Sequence, residues 1–265
     1  MPTKFSDIAK GPTDLLNEDY TSKVSLKCKK AAGIASVTIE TERGSGGALS
    51  SKVGTKFSYA GLSFDKVQLK ADGGQVLETS LVPASGVKLS FKGNKGADLG
   101  INYTNGNFIA TGSLDVKEMS KFSSSACVGL SSGITVGGNA TYSMAGTTGI
   151  SAFNVGTSYS SGPLFASVST ASKLSQVNID LMYKVNGDLS LASSTTHSAA
   201  KTCDVLAVGG AYKASFGTIK AKVAGDGVVS ACCMTTAAPG VSVTASASAS
   251  PSDLSTFKYG LGFTI

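Results

Sequence analysis

From Lys23 onward, the chain consists of short segments in which apolar and polar residues alternate. In residues 23–29, Val24, Leu26 and Cys28 share one parity, and the polar residues share the other. Successive side chains of a strand point to opposite faces, so this period of two predicts a strand with one apolar and one wet face. The alternation recurs in residues 87–92, 99–104, 177–184 and 218–223.

Turn-forming pairs such as Asn105-Gly106 and Asp226-Gly227 separate these segments and favour tight hairpins between antiparallel neighbours. About 19 segments follow residue 20, at roughly 13 residues each, which suits strands of about 9–11 residues crossing a bilayer obliquely. A sheet this long needs closure to remove its edges. We therefore predict an all-β fold, a closed transmembrane β-barrel formed by residues 21–265. Alternation is poor in residues 120–170, so strand registers there are not predicted.

Residues 1–20 have a different pattern, that of a short amphipathic helix. Its apolar face and its charged remainder are Phe5, Ile8, Ala9, Leu15 and Leu16 against Asp7, Lys10, Asp14 and Glu18. Gly11-Pro12 is expected to break or kink this helix, with Thr13 capping a second turn. Two interpretations stay open: a frayed helix on the surface, or a helix that lies inside the barrel and narrows its lumen.

Composition separates a membrane protein from an ordinary soluble domain only in part. Charged residues make up 15% of the chain, against about 25% in typical domains. Apolar runs are too short for a transmembrane helix, which leaves a barrel or a soluble all-β protein rich in small residues. The N-terminus lacks the apolar core of a secretory signal.

Candidate chemistry for an enzyme or a metal site is missing from the sequence. The five cysteines have neither a disulfide-framework spacing nor a metal-ligand spacing, and His197, the single histidine, has no catalytic motif around it. We therefore expect no catalytic residues, no metal, no cofactor and no enzymatic activity.

Charge patterning points to an anion-attracting interior. The net charge is +6, and Arg43 is the one arginine, so nucleic acid is not an expected partner. Parity assigns thirteen lysines to the wet face: Lys23, Lys27, Lys29, Lys52, Lys56, Lys66, Lys70, Lys88, Lys92, Lys184, Lys220, Lys222 and Lys258. It assigns five acids to the same face: Glu40, Glu42, Glu78, Asp115 and Asp180. This excess of lysine predicts a weak preference for anions.

Several segments carry a family resemblance. Residues 5–20, FSDIAKGPTDLLNEDY, resemble the N-terminal helix of the voltage-dependent anion channels, the porins of the mitochondrial outer membrane. Residues 59–64, 85–91 and 182–186 and the last strand, KYGLGFTI, resemble other segments of this family in the same order. The last strand resembles the sorting signal of mitochondrial β-barrels, carried here by Lys258, Gly260, Phe263 and Ile265.

The resemblance implies a 19-stranded barrel with the helix inside its pore. It further implies voltage-gated passage of chloride, phosphate, ATP and ADP across the mitochondrial outer membrane. Thr13 and Glu18 stand where animal relatives usually carry basic residues, so the helix should favour anions less and the wall more. The expected partners are membrane lipid, permeating anions and nucleotides, and other copies of the chain in a homo-oligomer.

Asp65 shares its parity with the apolar Val67 and Leu69, which predicts that this carboxylate faces lipid, as an acid in animal relatives does. A position at a strand end among the headgroups is the alternative. Two other functions also stay open. One is the barrel subunit of the outer-membrane protein-import translocase, and the other is a soluble all-β structural protein.

Overall fold

The computed structural model describes residues 3–44, 46–198 and 205–265. These residues form a 3-10 turn at Phe5–Asp7, a helix at Lys10–Asn17 (α1) and nineteen strands. The strands are Val24–Ala32 (β1), Ala35–Arg43 (β2), Leu49–Tyr59 (β3), Leu62–Lys70 (β4), Gln75–Ala84 (β5), Val87–Gly93 (β6), Ala97–Asn105 (β7), Phe108–Asp115 (β8), Lys121–Gly129 (β9), Ile134–Ser143 (β10), Gly149–Ser161 (β11), Leu164–Ala171 (β12), Gln176–Lys184 (β13), Leu189–Ser198 (β14), Val205–Ala214 (β15), Gly217–Ala224 (β16), Val229–Ala238 (β17), Val241–Ser250 (β18) and Asp253–Thr264 (β19).

The strands form one closed sheet. Each strand pairs antiparallel with the next along the chain, and β1 pairs parallel with β19 to complete the ring. The closed barrel of about 19 strands predicted from the alternation is therefore confirmed. No helix among the described residues is long and apolar enough to cross a membrane.

The helix identifies which face of the sheet is the interior. A Cβ placed on Gly209 of β15 would lie 2.9 Å from Cδ2 of Leu16, and one on Gly11 would lie 3.1 Å from Cε of Met182 in β13. Residues directly opposite each other in neighbouring strands point to the same face. Starting from Gly209, the registers therefore identify the inward-facing residues of all the remaining strands.

Two small apolar clusters hold the N-terminal segment against the wall. Leu15 and Leu16 pack on Ala192, and Phe5 and Ile8 pack on Cys127. The outer face is different, since it leaves large apolar side chains exposed all round the ring, as a barrel in lipid requires.

The helix begins differently from the prediction. Gly11 and Pro12 lie in the first turn of α1, where proline is tolerated because its missing N–H has no helical acceptor. The interruption falls earlier, between Asp7 and Lys10. Ala9 occupies the N-cap position and makes no side-chain capping bond, so the expected cap at Thr13 is wrong.

Candidate functional site

The registers place twelve of the thirteen predicted lysines on the interior face, and Lys23, just before β1, pairs with the interior Glu42. Lys27 lies opposite Glu40 and Glu40 opposite Lys52, while Gly209, beneath the helix, lies opposite Lys222. Because successive side chains of a strand alternate between the two faces, each of these residues also fixes which other residues of its strand face the interior. Lys121 and Lys213 lie on this face as well, and parity counting had not assigned them.

The first three strands carry a ladder of alternating charge. Glu40 lies 2.8 Å from Nζ of Lys52 and 3.7 Å from Nζ of Lys27, whereas Glu42 lies 2.8 Å from Nζ of Lys23 and 3.5 Å from that of Lys52. Neighbouring strands are about 4.8 Å apart, so long side chains facing the same way can form such pairs. The ladder neutralises part of the lysine charge.

The predicted lipid-facing position of Asp65 is wrong. The register slips between Phe64 and Lys66, and this β-bulge turns Asp65 to the interior. Its carboxylate accepts a 2.5 Å hydrogen bond from the hydroxyl of Ser80 and lies 3.4 Å from Nζ of Lys88. The parity of Val67 and Leu69 holds only beyond the bulge.

Other acids complete the interior charge. Glu78 lies 3.5 Å from Nζ of Lys92, and Asp98, which parity counting missed, faces Lys92 and Asp115 across the ladder. Asp180 is buried and accepts hydrogen bonds from Ser167 and Ser194. Lysines still outnumber the seven acids identified on this face, Glu40, Glu42, Asp65, Glu78, Asp98, Asp115 and Asp180.

Some interior lysines form no direct ion pair with an acid among the described residues. Lys29, Lys56 and Lys66 line a concave region of about 420 Å³, together with the paired Lys27 and Lys52. The acids at this concavity are Glu40 and Asp65. A dissolved anion entering the lumen therefore meets a local excess of positive charge.

The segment between α1 and β1 is fastened to β16 and β18, beside the strands that support α1. Asp19 lies 2.7 Å from Nζ of Lys220, and the ring centroid of Tyr20 lies 4.7 Å below Nζ of Lys222. The N–H of Thr21 donates a 3.1 Å hydrogen bond to Oγ of Ser246. Burial, together with the nearby Cys232 and Asp19, raises the pKa of Tyr20 to about 12.

The charged side chains of the helix flank its buried face. Phe5, Ile8 and Leu15 are buried against the wall, whereas Lys10 and Glu18 are exposed. Asp7 and Asp14 are half-buried, and Asp14 lies 3.8 Å from Nζ of Lys10. The helix therefore presents its polar side chains to the lumen.

The last strand pairs with β18 along one edge and with β1 only over its final residues, from Leu261 to Thr264. Gly260 faces inward against the backbone of Thr21, and the carbonyl of Ile265 accepts a 2.7 Å hydrogen bond from the N–H of Lys29. Lys258 shares the interior face, whereas Phe263 lies on the outer face. The structure therefore accounts for these residues as closure of the ring, and their role as a sorting signal stays a prediction.

Within the described ranges, no group of three or more potential metal ligands occurs. Cys28, Cys127, Cys232 and Cys233 are free thiols, and Cys203 lies outside the described residues. His197 lies in β14 with an exposed side chain.

A sequence model of the eukaryotic porin family matches residues 1–261. Among solved structures, two engineered variants of the Rh. blastica porin align over 89% of this chain and 94% of their own, with TM-scores of 0.50 and identities of 11% and 12%. This likeness is one of fold. The comparison with curated proteins gave no match.

Proposed function

The chain belongs to the eukaryotic porin family, and we propose that its channel for small solutes is weakly anion-selective and lies in the mitochondrial outer membrane. The solutes we propose are chloride, phosphate, ATP and ADP. We also propose that the channel closes at higher voltage, as the family resemblance implies. The family and the fold indicate a channel and not an enzyme.

The observation that carries the anion preference is the charge of the interior wall. Thirteen lysines predicted from parity share one face, and the seven interior acids neutralise only part of their charge. A barrel of this many strands leaves an aqueous lumen. The Debye length is about 8 Å at physiological salt, so the preference is modest and falls as salt rises.

Lysine suits a channel that must release what it attracts. Its ammonium is a mobile, strongly hydrated point charge, whereas the arginine fork binds phosphate at two points. The interior lysines concentrate anions without a rigid clamp. The net negative charge of the helix segment opposes this effect from within the lumen, because Asp7, Asp14, Glu18 and Asp19 outnumber Lys4 and Lys10.

The same wall disfavours the protein-import alternative. A translocase barrel passes basic, unfolded segments and would need an acidic lining, whereas lysines predominate here. The soluble alternative conflicts with membership of a porin family and with the exposed apolar side chains of the outer face.

The test is the reversal potential of single channels in a planar bilayer under a KCl gradient. We expect weak anion selectivity and a conductance that falls at higher voltage of either sign. Replacing Lys88→Glu and Lys92→Glu together should move the reversal potential toward cation selectivity, since both side chains share the interior face with Asp65 and Glu78.

Lys30→Glu is the matched control, because Lys30 lies opposite Val37 on the outer face. It makes the same kind of substitution at a single position away from the lumen, with half the charge change of the double variant, and should leave the reversal potential unchanged. Cation selectivity of the unaltered channel would contradict the proposal.

A further inference from the structure

The single arginine of the chain occupies an unusual place. Arg43 ends β2, opposite Val24 of β1 and Leu49 of β3. Both neighbours are exposed apolar residues of the outer face. The guanidinium makes no ion pair or hydrogen bond with the described residues. A charge on this face must lie at the level of the headgroups, because the hydrocarbon core disfavours it by several kcal/mol.

A crevice opens beside Arg43 at the seam of the ring. Its volume is about 410 Å³, and Arg43, Val24, Gly47, Phe257 and Tyr259 are among the residues that line it. A Cβ placed on Gly47 would lie 3.9 Å from Nη2 of Arg43. The absence of a side chain at Gly47 therefore leaves one edge of the guanidinium open.

The crevice exists because β1 is shorter than β19. Strand β1 begins at Val24 and pairs with β19 only from Leu261 to Thr264. The preceding part of β19, residues 253–260, has β18 on one side and no strand on the other. The wall of the barrel therefore has a notch at this point.

Backbone groups point into the notch. The N–H groups of Leu261 and Ile265 donate to the carbonyls of Lys23 and Lys27, so alternate residues of β19 direct their backbone toward β1. Tyr259 belongs to this series. The Lys23 N–H already donates to Oγ1 of Thr21, so the backbone of Tyr259 lacks a strand partner. Such groups need a polar partner at a membrane surface.

The lining of the crevice is amphipathic and carries no acid. The rings of Phe257 and Tyr259 stand 6.3 Å apart between centroids and are 57% and 67% exposed. Aromatic side chains are favoured where headgroups meet acyl chains. A guanidinium and backbone N–H groups are donors, and a phosphate diester supplies acceptors of opposite charge.

We propose that the crevice binds one anionic phospholipid, whose phosphate lies between Arg43 and the backbone of Tyr259. The glycerol region contacts the two rings, and the acyl chains follow the apolar outer face of β1 and β19. The site opens on the outer face of the barrel, and Lys258 of the interior face also lines the crevice.

The experiment measures binding of phosphatidylglycerol and phosphatidylcholine to the full chain in detergent by native mass spectrometry. Phosphatidylglycerol should bind more tightly. Arg43→Gln should lower its affinity about tenfold, the usual effect of removing a charge-assisted hydrogen bond. Lys30→Gln removes the same charge from the other end of β1 on the outer face and should have no effect.

Equal losses in the two variants, or no loss in either, would overturn the proposal. Displacement of the lipid by inorganic phosphate would also overturn it, because the site would then bind free anions. Phe257→Ala keeps the charge and should weaken binding of the same lipid. If Arg43→Gln fails to form a conducting barrel, unchanged affinity in Phe257→Ala overturns the proposal by itself.

Discussion

Two arcs of the interior wall, of eight strands each, are built from different residues. The charged arc, β1 to β8 with the preceding Lys23, carries nine of the thirteen predicted lysines and six of the seven acids. The helix arc, β9 to β16, supports the N-terminal segment and uses small residues such as Cys127, Ala192 and Gly209 at the contacts. The charged arc therefore carries most of the charged side chains and neutralises many of them in pairs, whereas the helix arc holds the helix and carries five interior lysines, Lys121, Lys184, Lys213, Lys220 and Lys222, against Asp180.

The difference has a steric basis. A Cβ atom placed on Gly137 would collide with Sγ of Cys127, and one placed on Gly209 would lie 2.9 Å from Cδ2 of Leu16. Lysines at these positions would exclude the helix, whereas the charged arc has space for long side chains to pair across strands. The lumen is therefore a gap between a cationic wall and a helix segment with net negative charge.

The largest expected effect comes from detaching the helix from its arc. Leu16 is 1% exposed, so Leu16→Asp places a charge in an apolar contact and should weaken docking by about 3 kcal/mol or more. Maleimide labelling of Cys127, also 1% exposed, should then accelerate in a chain whose other cysteines are replaced by serine.

Glu18→Gln provides the control for that experiment. Glu18 follows the same helix but is exposed, so its replacement should leave the labelling rate of Cys127 unchanged. Slow labelling in the Leu16→Asp chain would show that the small residues of the helix arc do not hold the segment.

A smaller effect should follow from alkaline pH. The docked state raises the pKa of Tyr20 to about 12, whereas a solvated tyrosine has a pKa near 10. The stabilising contribution is complete below pH 10 and is lost as pH rises through 12, because only the detached state ionises readily. The tyrosinate absorbance of the unaltered chain minus that of Tyr20→Phe should show the ionisation of Tyr20 as a transition near pH 12.

The same titration reports whether the linker stays in place when the helix is detached. In the Leu16→Asp chain, the Tyr20 transition should move down toward pH 10, since the ring is no longer buried against Lys222. An unchanged transition would mean that the linker stays in place without the helix.

The smallest expected effect concerns one charge of the charged arc. Asp65→Asn removes an interior acid and should move the reversal potential slightly toward anion selectivity, more at low salt than at high salt. Asp72→Asn alters a carboxylate in the turn after β4 and should change the reversal potential less. No difference between these variants would favour the lipid-facing placement of Asp65.

The charged arc was largely predictable from sequence because its strands alternate strictly. The predicted lysines of one strand, such as Lys88 and Lys92, differ by an even number of positions, so period two alone places both on one face. Asp65 was mispredicted because a bulge inserts one residue. The signal was present in the sequence: Leu62 and Phe64 have one parity, while Val67 and Leu69 have the other.

The helix arc resisted prediction for the opposite reason. Alternation was poor in residues 120–170 because inward positions under the N-terminal segment, such as Cys127, Gly137 and Gly156, are small or apolar and not charged. Long-range packing therefore replaced the wet face that the pattern assumes. The notch beside Arg43 was equally hidden, because it depends on the different starting points of β1 and β19.

The parallel pairing of β1 with β19 determines which side of the membrane the start of β1 and the end of β19 face. With an odd number of strands in an unbroken meander, the first and last strands run in the same direction, so the start of β1 and the end of β19 open toward opposite compartments. A reporter fused after Ile265 would therefore lie in the compartment opposite to the one that faces the start of β1. Deleting one hairpin would preserve this sidedness, whereas deleting a single strand would reverse it.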